Sequence, residues 1–201
     1  MKPFIDYDGV ALLFAAAMLL VLPLQWVAAV YVAALFHELC HYFAIRLTGG
    51  GVCGISVTPR GAVMETGVLS SRQELFCALA GPAGSLLLFL GYPWIPRIAL
   101  CAGIHGAFNL IPVYPLDGGR AFRILTGLCF PEAVASAVCR GVEMLLGLLI
   151  LIAGLYCAFW LKLGISPLIF SFLLLFRVLS EKFLANRENC EYNSATKYDL
   201  R

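Results

Sequence analysis

The sequence predicts an all-α polytopic membrane protein of about six transmembrane helices, with a short β-hairpin-like, membrane-associated loop after the second. Three observations predict it. Hydrophobic residues make up 61% of the 201-residue chain and charged residues only 13%, against about 25% in an ordinary soluble domain. Mean hydropathy is +0.89, and a soluble monomer so apolar would expose a large hydrocarbon surface to water. The apolar residues fall in runs long enough to cross a bilayer, which takes about 20 residues, and the basic residues flank those runs.

The first uncharged run extends from Gly9 to Phe36. Pro23 and Gln25 mark a break in it, giving span 1 over 9–24 and span 2 over 26–47; the alternative is one long tilted helix and an odd number of spans. Span 3 is expected over 74–95, span 4 over 98–116, span 5 over 142–161 and span 6 over 163–179. Residues 1–180 then form one membrane domain, and 181–201 a short charged tail. After Gly49-Gly50-Gly51 ends span 2, Val52-Cys53-Gly54-Ile55-Ser56-Val57 and Ala62-Val63-Met64-Glu65-Thr66 flank Pro59-Arg60-Gly61. Short β-branched segments around a Pro/Gly turn read as a hairpin.

With the N-terminus inside, this plan places all of the 14 basic residues except Arg97 and Lys162 on the cytoplasmic side. The positive-inside rule therefore favours both termini in the cytoplasm, and the expected setting is a bacterial cytoplasmic membrane. The first run continues into the next helix without a processing site, so a cleaved signal peptide is not expected. The net charge of +2 gives no basis for nucleic-acid binding. None of the eight cysteines forms a C-x-x-C pair; most lie in apolar runs, where Cys acts as a small hydrophobe.

Span 2 contains His37-Glu38-Leu39-Cys40-His41. Residues i and i+4 share a helix face, so both imidazoles can reach one metal ion. Zinc lowers the pKa of the water it binds to about 7, and Glu38 is placed to take that water's proton. The bland alternative is a polar contact between helices. Three polar groups in one turn near mid-membrane are costly, however, and such groups mark function.

A catalytic zinc keeps three protein ligands and an open position. The third is sought in Asn109-Leu110-Ile111-Pro112-Val113-Tyr114-Pro115-Leu116-Asp117-Gly118-Gly119-Arg120. Pro112 and Pro115 break the helix and Gly118-Gly119 frees the chain. Irregular backbone at membrane depth survives only where it is buried in protein or lines a wet cavity. Asp117 there is an oxygen ligand or, alternatively, a solvated residue of an interfacial turn; spacing leaves both open. His105 is open between a fourth ligand, a group supporting a ligand, and a donor to a neighbouring helix's carbonyl. Cys40 lies about 100° around the helix from His41 and points elsewhere. The small residues from Leu79 to Ser85 read as close helix packing.

His37-Glu38-x-x-His41, followed by Asn109-x-x-Pro112-x-x-Pro115-Leu116-Asp117-Gly118 in a later span, resembles the site-2 protease family of intramembrane metalloproteases. The string Pro115-Leu116-Asp117-Gly118-Gly119-Arg120 looks most like its bacterial branch that includes stage IV sporulation protein FB. The resemblance covers residues 5–180. It implies that His37, His41 and Asp117 bind one zinc ion and that Glu38 is the general base. It also implies that Asn109 places substrate or stabilises the oxyanion, with Pro112 and Pro115 beside the substrate, and that the hairpin offers the substrate an edge strand. The substrate would be a membrane protein, cut in or near its transmembrane segment: a transcription-factor precursor, an anti-sigma factor or a signal-peptide remnant. The lipid bilayer is the other implied partner, while regulatory membrane proteins and self-association stay open. One departure is Gly81-Pro82-Ala83-Gly84-Ser85, where the family often has Gly-Pro-x-x-Asn; the shorter reach of Ser85 leaves that helix's polar role open. No PDZ module is inserted between the motifs, and nucleotide control through a CBS pair after span 6 is not expected. Two other readings use the same residues: a metal transporter or channel, which leaves Glu38 without a role, and an inactive scaffold, which leaves a full set of chemical groups unused.

Overall fold

The computed structural model describes residues 5–7, 19, 23–58, 61–162, 164 and 171–172. Expected spans 1 and 6 and the residues Pro59 and Arg60 fall wholly or almost wholly outside the described residues, as does the charged tail. The described elements are β1 (Ile5–Tyr7), α1 (Leu24–Leu47), β2 (Val52–Thr58), β3 (Gly61–Thr66), α2 (Ser71–Phe89), α3 (Pro96–Asn109), α4 (Asp117–Cys129) and α5 (Glu132–Phe159). They group into two compact units, one through Cys129 and one from Phe130.

Local chemistry sets the helix ends. Pro23 precedes α1, whose last turn holds Arg46, a cation suited to the negative end of the helix dipole. The Thr48 hydroxyl donates to the carbonyls of Ala44 and Ile45, and Gly49 takes the left-handed conformation that ends the helix (φ 80°). Ser70 opens α2 with a reciprocal cap, its hydroxyl accepting from the Gln73 N–H and the Gln73 carbonyl oxygen accepting from the Ser70 N–H. The Gln73 amide also donates to the Thr48 carbonyl at 2.9 Å, tying the end of α1 to the start of α2.

Two expected spans are shorter as helices than the apolar runs that suggested them. The run 74–95 corresponds to α2, which stops at Phe89, and turns occupy the Gly91-Tyr92-Pro93-Trp94 stretch. The run 98–116 corresponds to α3, which begins with Pro96 at its first turn and ends at Asn109. Span 5 corresponds to α5, which starts well before residue 142, at Glu132. Helix α4 lies between expected spans 4 and 5, where the sequence reading assigned no element. Its glycines suggested freed backbone, yet Gly118 and Gly119 are helical and buried.

The hairpin forms as expected, with β2 and β3 antiparallel from Val52 opposite Thr66 to Thr58 opposite Gly61. Strand β1 was not expected, because three residues carry too short a pattern to read. It pairs parallel to β2, with Ile5 opposite Ile55 and Tyr7 opposite Val57. Strand β2 is therefore central in the sheet order β1-β2-β3. Val52, Met64 and Leu69 pack on Ala44, Ile45 and Cys77, which seats the hairpin on the ends of α1 and α2.

Helix α2 is the hub of the first unit: it packs against α1, α3 and α4, and α1 also packs against α3. The contacting residues are small. Ala29 and Ala33 of α1, Cys77, Ala78, Gly81, Gly84 and Ser85 of α2, and Ala99, Ala102 and Gly106 of α3 are all buried. Small residues let helix backbones approach closely where water gives no hydrophobic push.

Large apolar residues face outward instead, among them Leu35, Phe43, Leu145, Leu149 and Ile152. Among the described residues, two helices are long and apolar enough to cross a membrane. They are α1, with a hydropathy of 1.4, and α5, with 2.3.

Candidate metal centre

Helix α1 carries His37 and His41 one turn apart, and α4 begins with Asp117. Three donor atoms from these residues converge. His37 Nε2 lies 3.0 Å and His41 Nε2 3.1 Å from Asp117 Oδ2. The two Nε2 atoms are 3.1 Å apart. His37 is buried, 2% exposed, while the side chains of His41 and Asp117 keep 13% and 12% exposure. The cluster is thus closed on one side and reachable on the other.

Helix α2 sets the direction of both imidazoles. His41 Nδ1 is 2.7 Å from the carbonyl oxygen of Cys77. A carbonyl can only accept, so the ring proton sits on Nδ1 and the Nε2 lone pair faces the cluster. His37 Nδ1 is 2.9 Å from the hydroxyl of Ser85, which is fully buried. Gly81 lies between these two contacts. A Cβ there would overlap Nε2 of both His41 and His37, so the glycine provides the floor on which the imidazoles meet.

Asp117 is placed by the chain before it. Asn109 ends α3, and Pro112 and Pro115 keep 110–116 out of helix. Val113 in that segment is fully buried. A side chain on Gly118 would overlap the Leu110 carbonyl, and one on Gly119 would overlap Tyr114 and Val113 backbone. Only glycines let the first turn of α4 press against this segment and carry Asp117 to the histidines. The Arg123 guanidinium lies 4.1 Å over the Tyr114 ring, a cation–π contact that fixes the segment from the α4 side.

This donor set fits zinc. Two imidazole nitrogens and one carboxylate oxygen make the three-ligand set of a catalytic zinc. Tetrahedral bonds of about 2.0–2.1 Å separate ligand atoms by about 3.3 Å, close to the spacing found. Two imidazole lone pairs and an anionic oxygen aimed at one point repel one another, and a cation among them relieves that repulsion. His37, His41 and Asp117 are the described His, Cys, Asp and Glu residues that group in this way.

The other residues singled out in the sequence lie around this cluster. Glu38 follows His37 on α1, half-buried and one turn before His41. The Asn109 side-chain amide donates to the carbonyl of His105 within its own helix at 3.1 Å. Pro112 and Pro115 are half-buried in the connection from α3 to α4. The His105 ring meets the His37 ring edge-on, with centroids 4.5 Å apart, and stands outside the donor cluster. Cys40 faces α2, where a Cβ on Gly84 would overlap its sulfur. The sequence reading left the polar role of Ser85 open and missed Cys77 and Gly81 as parts of the site. Their spacing of four residues, matching the His37–His41 spacing across the helix pair, was the available signal.

No protein-family model matches the chain. Over 139 residues, 62% of the chain, it is 27% identical to zinc metalloprotease MJ0392 of Methanocaldococcus jannaschii. The match spans 41% of that protein's length. The fold matches that of the site-2 protease from Methanocaldococcus jannaschii with a TM-score of 0.63 and 22% identity, over 88% of this chain and 89% of that one. The motif resemblance to site-2 proteases is thus matched by similarity to these two proteins, and the chain has the fold of that site-2 protease.

Proposed function

We propose that the chain is a zinc-dependent intramembrane protease that hydrolyses a peptide bond in or beside the transmembrane segment of a membrane protein. The observation that carries this reading is the convergence of His37 Nε2, His41 Nε2 and Asp117 Oδ2 within 3.1 Å, next to Glu38. One zinc ion held there would act as a Lewis acid on the scissile carbonyl and bring a water's pKa to about 7. Glu38 takes the proton from the attacking water and returns it to the leaving amine, the general base turning general acid. Asn109 turns its amide from the His105 carbonyl toward the developing oxyanion, where a donor is worth most in a site of low dielectric. The segment with Pro112 and Pro115 borders the bound peptide. The outer edge of the hairpin sheet pairs with the substrate as an added strand, which holds it extended with its carbonyls open to attack.

The membrane setting rests on the apolar composition and on the outward-facing Leu and Phe residues. Six spans with both termini in the cytoplasm agree with the distribution of basic residues. The candidate substrates are membrane-tethered transcription-factor precursors, anti-sigma factors and signal-peptide remnants. A metal-transit path would need the same three ligands but gives Glu38 no task, whereas hydrolysis requires a base at that place.

The test compares membrane proteomes of cells carrying the wild-type chain and Glu38→Gln. The variant should accumulate at least one uncut membrane-protein precursor. Identical proteomes, with both proteins expressed and the substrate-bearing conditions varied, would overturn the reading.

A further inference from the structure

We propose that Ser85 is a positioning residue of the metal centre, its hydroxyl oxygen accepting the Nδ1–H of His37 and so aiming the His37 Nε2 lone pair at His41 and Asp117. The inference rests on the proposed zinc site and extends it to a residue that never touches the metal.

The Ser85 hydroxyl and His37 Nδ1 are 2.9 Å apart, and both residues are buried, 0% and 2% exposed. Water therefore cannot replace this contact. A buried imidazole N–H without an acceptor loses its full desolvation energy, so the ring would turn to find another partner. His41 already has a fixed acceptor in the Cys77 carbonyl. At His37 the partner of Nδ1 is a side chain, and the serine hydroxyl does for it what the carbonyl does for its neighbour. The three residues Cys77, Gly81 and Ser85 are spaced by four and lie along one face of α2. They meet His41, both imidazoles and His37 in turn. Helix α2 thus presents an acceptor, a clearance and a second acceptor to the two histidines of α1.

The register of Ser85 is held from its far side. A Cβ on Gly106 of α3 would come within 2.8 Å of the Ser85 Cβ and 3.1 Å of the Pro82 carbonyl. Helix α3 therefore closes on α2 at this point. This explains in steric terms how a side chain as short as serine reaches the imidazole: the helices are close enough.

Outer contacts of this kind typically change metal affinity by about 10–100-fold when removed. The test uses the full chain purified in detergent, with zinc affinity read by chelator competition and the ligand field by the visible spectrum of the cobalt(II)-substituted protein. Ser85→Ala keeps the volume nearly unchanged and favours helix, but it leaves the buried His37 N–H without its acceptor, so the metal-free protein should fold and melt somewhat below the wild-type temperature. Its zinc affinity should fall by about 10–100-fold, with a shifted or broadened cobalt spectrum. Zinc affinity within twofold of wild type would overturn the proposal, as would an affinity loss with an unchanged cobalt spectrum. If the wild-type chain itself binds no zinc, the metal-site reading falls, and this proposal with it; if the wild type binds and Ser85→Ala binds equally well, only the role of Ser85 falls.

Discussion

The Nδ1 of His41 lies 2.7 Å from the carbonyl oxygen of Cys77 on the neighbouring helix. That contact decides which nitrogen of His41 carries the proton, and with it the direction of the lone pair that faces His37 and Asp117. A backbone carbonyl cannot be deleted by substitution, so this half of the site is built into the path of α2.

Asp117 supplies the anionic donor. Asp117→Ala leaves two imidazoles, and Asp117→Asn puts a neutral amide where a carboxylate offsets the ion's charge. Both should lose zinc affinity and cleavage. Asp117→Glu should keep metal but shift it by about an ångström, enough to cost on the order of 10²-fold in rate. Zinc stoichiometry and turnover measured together check this; full occupancy with wild-type turnover in Asp117→Asn would remove Asp117 from the site.

Gly81 is the clearance under both rings. Gly81→Ala puts a methyl onto His37 and His41, and overpacking of this kind costs about 1–3 kcal/mol. Zinc affinity should fall by at least about 100-fold, since both ligands move. Gly127→Ala is the contrast: nothing lies within 4 Å of an added Cβ, and the gain in helix propensity should raise stability by about 0.5–1 kcal/mol. Equal zinc affinity in the two variants would contradict the close approach.

Val57 lies in β2, the central strand, with Tyr7 on one side and Ala62 on the other. Proline removes a ladder donor, and central strands do not tolerate it. Val57→Pro should impair cleavage while one zinc remains bound, because the sheet is separate from the donor atoms. Unchanged cleavage would argue against a role for the sheet edge in holding substrate.

Topology follows from where the basic residues fall. Reporter fusions after Lys2 and after Ser180 should report the cytoplasm, and one after Arg97 the opposite side. A C-terminus outside the cytoplasm would show that the break at Pro23 and Gln25 divides the first run wrongly.

Much of this was legible in the sequence, for physical reasons. The His37–His41 pair needs only a helix to share a face, and the uncharged run around it ensures one. The hairpin was readable because β-branched residues flank Pro59-Arg60-Gly61. Helix α4 was hidden because Gly118 and Gly119 look like helix breakers, whereas the fold uses them for close backbone approach. The ends of α2 and α3 were misplaced because apolar residues such as Leu90, Trp94 and Leu116 prolong a hydropathy run without prolonging a helix. Ser85 could not be assigned from spacing, since its role depends on how near α3 drives it toward His37. That distance is set by Gly106 and the alanines of three helices, a tertiary property no single segment carries.

The central claim is that one zinc ion is held by His37, His41 and Asp117 and that Glu38 is the base beside it. The most direct measurement is zinc content together with cleavage of a membrane-protein substrate for purified wild type and Glu38→Gln. The account predicts one zinc per chain in both and cleavage only in the wild type, because the glutamine amide cannot accept the water's proton. Normal turnover by Glu38→Gln, or cleavage by a wild-type chain stripped of zinc, would contradict it.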